Sequence, residues 1–268
     1  MLEQLEPNSV QCIFADPPFN LDKKYRSYKD AIPPDEYFNW TRKWIEASMR
    51  VLKDDGSIFI YNIPKMLIKT ADILEEYAYF RHWISWNSPG RPLGKTLQPS
   101  HYGILYYTKK PKDFKFYDIR APHKKCRRCD EYLKDYGGKA HLRHPFGYTV
   151  GDVWDDIHRV RHSGKRIENH PCQLPIHLIE RIILMSTDEN DIFVDLFAGG
   201  GAGGIAAKHL NRGYIGTDID EKYVKLSNQK IDLAAPTTFH QSYVSIHLNK
   251  IVSVRDIDIK RGLLDVGV

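Results

Sequence analysis

Near the start of the chain, Asp16-Pro17-Pro18-Phe19 places a carboxylate, two stiff imino acids and an aromatic ring directly after the apolar run Val10 to Ala15. At the exit of a buried strand, such a set makes a good grip on a flat, amine-bearing ring such as a nucleobase. The same tetrapeptide also serves as an ordinary chain reversal, because each proline fixes its own φ and pushes the preceding residue out of helical space. The rest of the chain has to decide between the two.

A second constellation lies far downstream. Phe193-Val194-Asp195-Leu196-Phe197-Ala198 runs into Gly199-Gly200-Gly201-Ala202-Gly203-Gly204 and then into a helical pattern. Glycines let the backbone approach a ligand closely, and the free N–H groups at the start of a helix favour an anionic or carboxylate-bearing group. Gly199, Gly201 and Gly204 satisfy the G-x-G-x-x-G spacing, and Asp218 closes the next strand about 20 residues on, where an acid accepts from ribose hydroxyls. Strand, loop, helix, strand and acid in that order point to an adenosine-containing cofactor. NAD satisfies this segment alone. Asp195 and Phe197 before the glycines, together with a base-gripping turn in the same sheet, favour S-adenosylmethionine, whose ammonium needs an acid.

A third cluster mixes cysteine, histidine and basic residues. Cys126, Cys129, His141 and His144 give C-x2-C-x11-H-x2-H, close to but outside the usual zinc-finger spacing. A structural zinc ion would let a polar, glycine-rich segment fold without much core. Basic residues around the cysteines are equally consistent with phosphate contacts. Two dense positive patches favour a polyanion: Lys124, Lys125, Arg127 and Arg128, and then Arg159, Arg161, Lys165 and Arg166. Cys12, inside the first strand, is expected in the core.

The elements that must position these groups follow from periodicity. Val10 to Ala15 reads as a buried strand. A helix follows from about Pro34, with Tyr37, Trp40, Trp44, Ile45 and Met49 at helical spacing; Asp54-Asp55-Gly56 ends that unit, and Ser57 to Tyr61 is a second strand. Pro64 to Tyr77 is helical again, and Trp83 to Trp86 and Ile104 to Thr108 read as strands. Lys109 to about Asn169 has little periodicity and reads as an insertion. Regular structure resumes with a helix from Leu174 to Met185, the strand Ile192 to Leu196, the glycine loop, a helix through Ala206 to Leu210 and the strand Tyr214 to Thr217. Alternating strands and helices imply an α/β fold, a mostly parallel sheet flanked by helices. The expected divisions are 1–108 and 170–233 as two halves of one domain, 109–169 as the insert and 234–268 as an extension, in which Val244, Ile246 and Leu248 alternate.

A chain of 268 residues suits one such domain with an insert, and its net charge of +5 is mild but uneven. The acidic first residues and short apolar runs exclude a signal peptide and a bilayer span, so no membrane partner and a cytoplasmic location are expected. Four cysteines are too few for a disulfide scaffold at this length.

In order along the chain stand Asp16-Pro17-Pro18-Phe19-Asn20, the strand after Asp55-Gly56, His170-Pro171-Cys172-Gln173-Leu174-Pro175, Asp195-Leu196-Phe197-Ala198-Gly199 and Tyr214-Ile215-Gly216-Thr217-Asp218. With these motifs the chain resembles the amino-group DNA methyltransferases of the permuted β arrangement, in which the Asp-Pro-Pro-Phe motif comes first and the cofactor loop late. The resemblance implies a Rossmann-like methyltransferase fold, S-adenosylmethionine held by Asp195, Phe197, Gly199, Gly201, Asp218 and His170, and a target-recognition role for the insert. It implies that Asp16 and the Pro17 carbonyl each accept one N–H of the exocyclic amine of a flipped base, with Phe19 as its stacking surface. Double-stranded DNA and a cognate restriction endonuclease are the implied partners, and monomer and homodimer both stay open. An Asp in the first position is commoner with adenine N6 and a Ser with cytosine N4, so adenine is expected and cytosine kept as the alternative.

There are departures from the family. Leu196 stands where a Pro is usual, Gly200-Gly201-Ala202 replaces a Gly-Ser-Gly-Thr core and removes a threonine hydroxyl, and Leu174 stands where a Lys precedes the Pro. The altered glycine loop keeps open a DNA-binding regulator that retains the fold with weak catalysis, and an RNA base remains an alternative substrate.

Overall fold

The computed structural model describes residues 1–22, 30–90, 95, 97–121, 123–124, 128–129, 131–132, 137–139, 141, 144, 147–160 and 173–236. In chain order the elements are Val10–Ala15 (β1), Pro34–Val51 (α1), Leu52–Asn62 (β2), Pro64–Leu74 (α2), Tyr79–Asn87 (β3), His101–Thr108 (β4), Arg120–Ala121 (β5), Tyr148–Thr149 (β6), Val153–Trp154 (β7), Ile176–Ser186 (α3), Ile192–Asp195 (β8), Ala202–His209 (α4), Gly213–Gly216 (β9) and Glu221–Leu233 (α5).

β1 is buried at every position, which is why it reads as a continuous apolar run rather than an alternating one. It is a central strand of a seven-stranded sheet ordered β7-β3-β4-β2-β1-β8-β9. β1 runs parallel to β2 and β8, β8 parallel to β9, and β3 parallel to β7, whereas β4 is antiparallel to both its neighbours. The expected α/β architecture with a mostly parallel sheet is therefore the observed one. On one face Ile13, Ala15, Ile58, Ile60, Leu105 and Val194 pack against Ile45 of α1 and Leu67 and Leu74 of α2. α3 lies against β1 and β2. It is buried almost throughout, with Arg181 held bidentately by Asp156 at 3.0 and 2.5 Å and Glu180 between His177 and His209.

Several elements differ from the expectation. Asp54-Asp55-Gly56 does not end a unit: β2 already begins at Leu52, and the register jumps from Val10↔Leu52 to Cys12↔Ser57, so these residues form a bulge. A Cβ on Gly56 would lie 2.9 Å from the Gln11 carbonyl, which accounts for the glycine. α4 starts at Ala202, inside the run read as loop. Glycine is a poor helix residue, yet a Cβ on Gly203 would strike the Asp195 carboxylate and one on Gly204 would strike Ile231, so close packing overrides propensity. β7 and α5 were not expected. β7 is two residues long, too short for a periodic signal, and its Trp154 is 1 % exposed.

The chain divides into two compact units: Met1–Phe116 with Asp152–Pro236, which contains the seven-stranded sheet, and one that contains Tyr117–Gly151. In the latter, β5 and β6 form an antiparallel ribbon. The span expected as insert, 109–169, is wider than Tyr117–Gly151. The alternating stretch from Val244 to Leu248 lies outside the described residues. Among the described residues, no helix is long and apolar enough to cross a membrane.

Candidate active site

The chain leaves β1 toward β2 on one side and leaves β8 toward β9 on the other, so the strand order reverses between β1 and β8. Ligands in open α/β sheets bind outside the carboxyl ends of the strands at such a switch point. Phe14 pairs with Asp195 across this gap, and Leu196 N–H donates to the Phe14 carbonyl at 3.0 Å. Asp16, two residues beyond Phe14, and Asp195 therefore stand at the same end of adjacent parallel strands. Two motifs separated by most of the chain are brought together by one strand pairing.

Asp16 and Pro18 are half-buried, and Pro17 is buried. Phe19 is 3 % exposed, with its ring centroid 5.9 Å from those of both Tyr61 and Tyr102. Tyr61 and Trp86 each lie one residue before the end of β2 and β3, and Tyr102 lies one residue into the antiparallel β4 between them, so the topology gathers four rings at the Asp16 end of the sheet. Of the four, Tyr102 alone is half-buried rather than buried, and it offers the cluster's solvent-facing edge. In the sequence Tyr61 and Trp86 read only as strand residues, and Tyr102 lies ahead of the strand expected from Ile104 to Thr108, so none of the three signals a ligand surface.

On the neighbouring strand, Asp195 is enclosed at the end of β8. Burial pushes its carboxyl up to about 7, against the Phe197 N–H that donates to Oδ1 at 3.3 Å, and the nearby Asp218 adds to the rise. Phe197 is half-buried, edge-on to Trp40 and Trp44 of α1 with centroids 5.7 and 5.9 Å away. Asp218, just past β9, accepts the Gly199 N–H at 2.9 Å and the Asp220 N–H at 2.8 Å. The acid expected to meet ribose thus also braces the glycine loop, and each carboxylate oxygen keeps capacity for a second donor.

Gly199 and Gly201 adopt φ of 46° and 84°, and a Cβ on Gly201 would lie 2.5 Å from Ser227 Oγ of α5. Gly201→Ala is therefore expected to cost about 1–3 kcal/mol of stability. A melting temperature unchanged from wild type would contradict this account of the loop.

Lys124, Arg128 and Arg159 are exposed, and Arg159 donates to the Pro89 carbonyl at 2.6 Å. Lys125, Arg127, Arg161, Lys165, Arg166, His170 and Cys126 lie outside the described residues. Cys129 is an exposed free thiol, His141 is exposed, and the His144 carbonyl is 2.9 Å from His123 Nε2. Among the described residues, no group of three or more His, Cys, Asp or Glu is placed to hold a metal ion. Cys12 is fully buried, its thiol pushed up to about 12 by desolvation, and belongs to the core as expected.

Residues 10–229 match the N6_N4_Mtase family model, described as DNA methylase. The chain is 40 % identical over 221 residues to the type II methyltransferase M.BamHI of Bacillus amyloliquefaciens, an alignment covering 82 % of this chain and 52 % of that protein. It is 36 % identical over 237 residues to the type II methyltransferase M.HpaI of Haemophilus parainfluenzae, covering 86 % and 71 %. The chain thus spans about half the length of the first relative. Among solved structures, the M1.HpyAVI–SAM complex shares the fold, with a TM-score of 0.55 at 23 % identity over 86 % of this chain and 91 % of that one.

Proposed function

This chain belongs to the N6/N4 DNA methylase family, and from that premise we propose that it transfers a methyl group from S-adenosylmethionine to the exocyclic amine of a base flipped out of double-stranded DNA. The observation that carries the reading is the juxtaposition of Asp16 and Asp195 at the switch point between β1 and β8.

The residues present suit the cofactor. A buried carboxyl raised to about 7 by desolvation gains from an ammonium brought beside it, and Asp195 is such a group. Gly199 and Gly201, at positive φ, let the backbone approach a ligand, Phe197 supplies an aromatic wall and Asp218 supplies acceptors for hydroxyls. His170 is included by family resemblance. When bound, S-adenosylmethionine supplies an electrophilic methyl group on a sulfonium; M1.HpyAVI has been solved with SAM.

The chain's own residues must make a poor nucleophile competent. The lone pair of an aminopurine or aminopyrimidine nitrogen is delocalised into the ring. The Asp16 carboxylate and the Pro17 carbonyl, each accepting one N–H, turn that nitrogen toward tetrahedral geometry and localise its lone pair. Their negative and partial negative charges also favour the positive charge that develops on nitrogen in the transition state. The four-ring cluster at the Asp16 end provides the apolar surface against which a flipped base is held, and stacking of this kind contributes about 1–3 kcal/mol per base. Phe19 takes part when a neighbouring ring gives way, since in the structure its own faces are enclosed. No covalent intermediate and no metal is required, so the Cys126, Cys129, His141 and His144 quartet has no part in the reaction.

Adenine N6 is the proposed target, with cytosine N4 as the alternative, on the ground that an Asp opens the motif. Residues 109–169 are proposed to read the target sequence, with Lys124, Lys125, Arg127, Arg128, Arg159, Arg161, Lys165 and Arg166 contacting phosphates and base edges. The type II relatives support a modification role beside a restriction endonuclease of the same specificity.

The test is incubation with isotopically labelled S-adenosylmethionine and mixed-sequence duplex DNA, followed by digestion to nucleosides and mass spectrometry. Label is expected on adenine N6. Label on cytosine N4 would retain the chemistry and replace the base, and DNA retention without label would favour the regulator.

A further inference from the structure

The turn that carries Asp16 is held from two directions by residues outside it. From α1, Tyr37 Oη donates to the Pro18 carbonyl at 2.8 Å. Tyr37 is 1 % exposed and packed edge-on against Phe38 with ring centroids 5.2 Å apart, so its hydroxyl is held in one place. From the other direction, Asn20, at φ 54°, exchanges two hydrogen bonds of 2.9 Å with the backbone of Ile32. Asp30, 1 % exposed, accepts the Asn20 N–H at 2.8 Å and the Leu21 N–H at 3.0 Å. Together these bonds form a neck that ties Asn20 and Leu21 to Asp30 and Ile32, just ahead of α1.

The chemistry gives that brace a purpose. Proline has no backbone N–H, so Pro17 and Pro18 contribute two adjacent carbonyl acceptors and no donor. An amine approaching Asp16 needs one of them at a defined angle. Resting on the methyltransferase reading, we propose that Tyr37 is a positioning residue: its hydroxyl engages the Pro18 carbonyl and so orients the Pro17 carbonyl as the partner of Asp16, while the Asn20–Asp30 neck fixes the far side of the turn. Rate then depends on a phenol in α1 that touches neither base nor cofactor, because small misplacements of a hydrogen-bonding group carry large rate penalties.

Tyr37→Phe removes one oxygen and keeps the ring packing; Asp30→Asn keeps the shape and removes the charge behind the two amide bonds. Both are to be compared with wild type on duplex DNA at saturating S-adenosylmethionine, with cofactor affinity measured by calorimetry and folding by thermal melting. For each variant kcat is expected to fall about tenfold, with KM for DNA and the cofactor dissociation constant within about twofold of wild type. Unchanged kcat in both variants of an active enzyme would overturn the positioning role and leave the methyltransferase reading intact. Loss of kcat matched by loss of cofactor affinity would also overturn it, since that pattern reports general distortion. A wild-type protein that labels no DNA removes both readings together.

Discussion

Asp16→Ala is expected to lower methyl transfer to DNA by about a thousandfold while leaving S-adenosylmethionine affinity within about twofold of wild type. The two halves of this expectation come from different strands. Asp16 follows β1, whereas the groups proposed to hold the cofactor end or follow β8 and follow β9. Removing the carboxylate takes away one of two acceptors for the amine and the charge that favours its alkylation. It should leave the glycine loop, braced by Asp218 and closed by its own backbone bonds, as it was. Asp16→Asn keeps a carbonyl acceptor without the charge and is expected to lose less. Single-turnover transfer and calorimetric titration of the cofactor check the two halves separately, and retained turnover in the alanine variant removes Asp16 from the mechanism.

Asp195→Asn is expected to weaken S-adenosylmethionine binding by about ten- to hundredfold at pH 8, the usual range for a hydrogen bond to a charged group lost from a buried site. The wild-type protein should show a pH signature that the variant lacks. With its carboxyl raised to about 7, chiefly by burial, Asp195 is mostly protonated at pH 6 and mostly ionised at pH 8. Only the ionised carboxylate attracts an ammonium, so wild-type affinity should rise several-fold between those values, until the ligand's α-ammonium itself begins to lose its proton near pH 8. The variant's affinity should be low and lack that rise. A flat wild-type profile would mean that Asp195 does not meet the ammonium.

The same burial has an opposite consequence for the unliganded fold. The folded-state value lies above the ordinary 3.8. Asp195's favourable contribution to folding is therefore complete below about pH 4 and lost as pH rises through about 7. The stability of the asparagine variant relative to wild type should accordingly increase from pH 5 to pH 8. Thermal melts of both proteins across that range read the difference, in which the titrations common to both cancel. A difference that falls with pH would reverse the assignment of desolvation as the dominant cause.

Both sites were legible as motifs because their chemistry is local. A carboxylate before two prolines, and an acid before closely spaced glycines, need only neighbouring residues to be recognised. The aromatic wall was not legible, since Tyr61, Trp86 and Tyr102 come from three strands whose meeting depends on β4 running antiparallel. Tyr37 read as one helix-face residue among several, and nothing around it indicates that its hydroxyl reaches Pro18, 19 residues earlier. Gly203 and Gly204 were taken for loop because propensity argues against glycine in a helix, and they lie in α4 because a neighbouring carboxylate and Ile231 leave no room for a Cβ. The basic residues were visible as charge density, a quantity that sequence carries without geometry.

By itself, then, the sequence determined the α/β class, the order of the main strands and helices, and the two motifs that end β1 and β8, because apolar periodicity and turn chemistry act over a few residues. Tertiary structure alone decided that these motifs lie on adjacent strands, that burial raises Asp195, that four rings gather at the Asp16 end of the sheet, and that Tyr37 and Asp30 brace the turn. Each of these depends on strand order, register or desolvation, and those are set by packing between residues far apart in the chain.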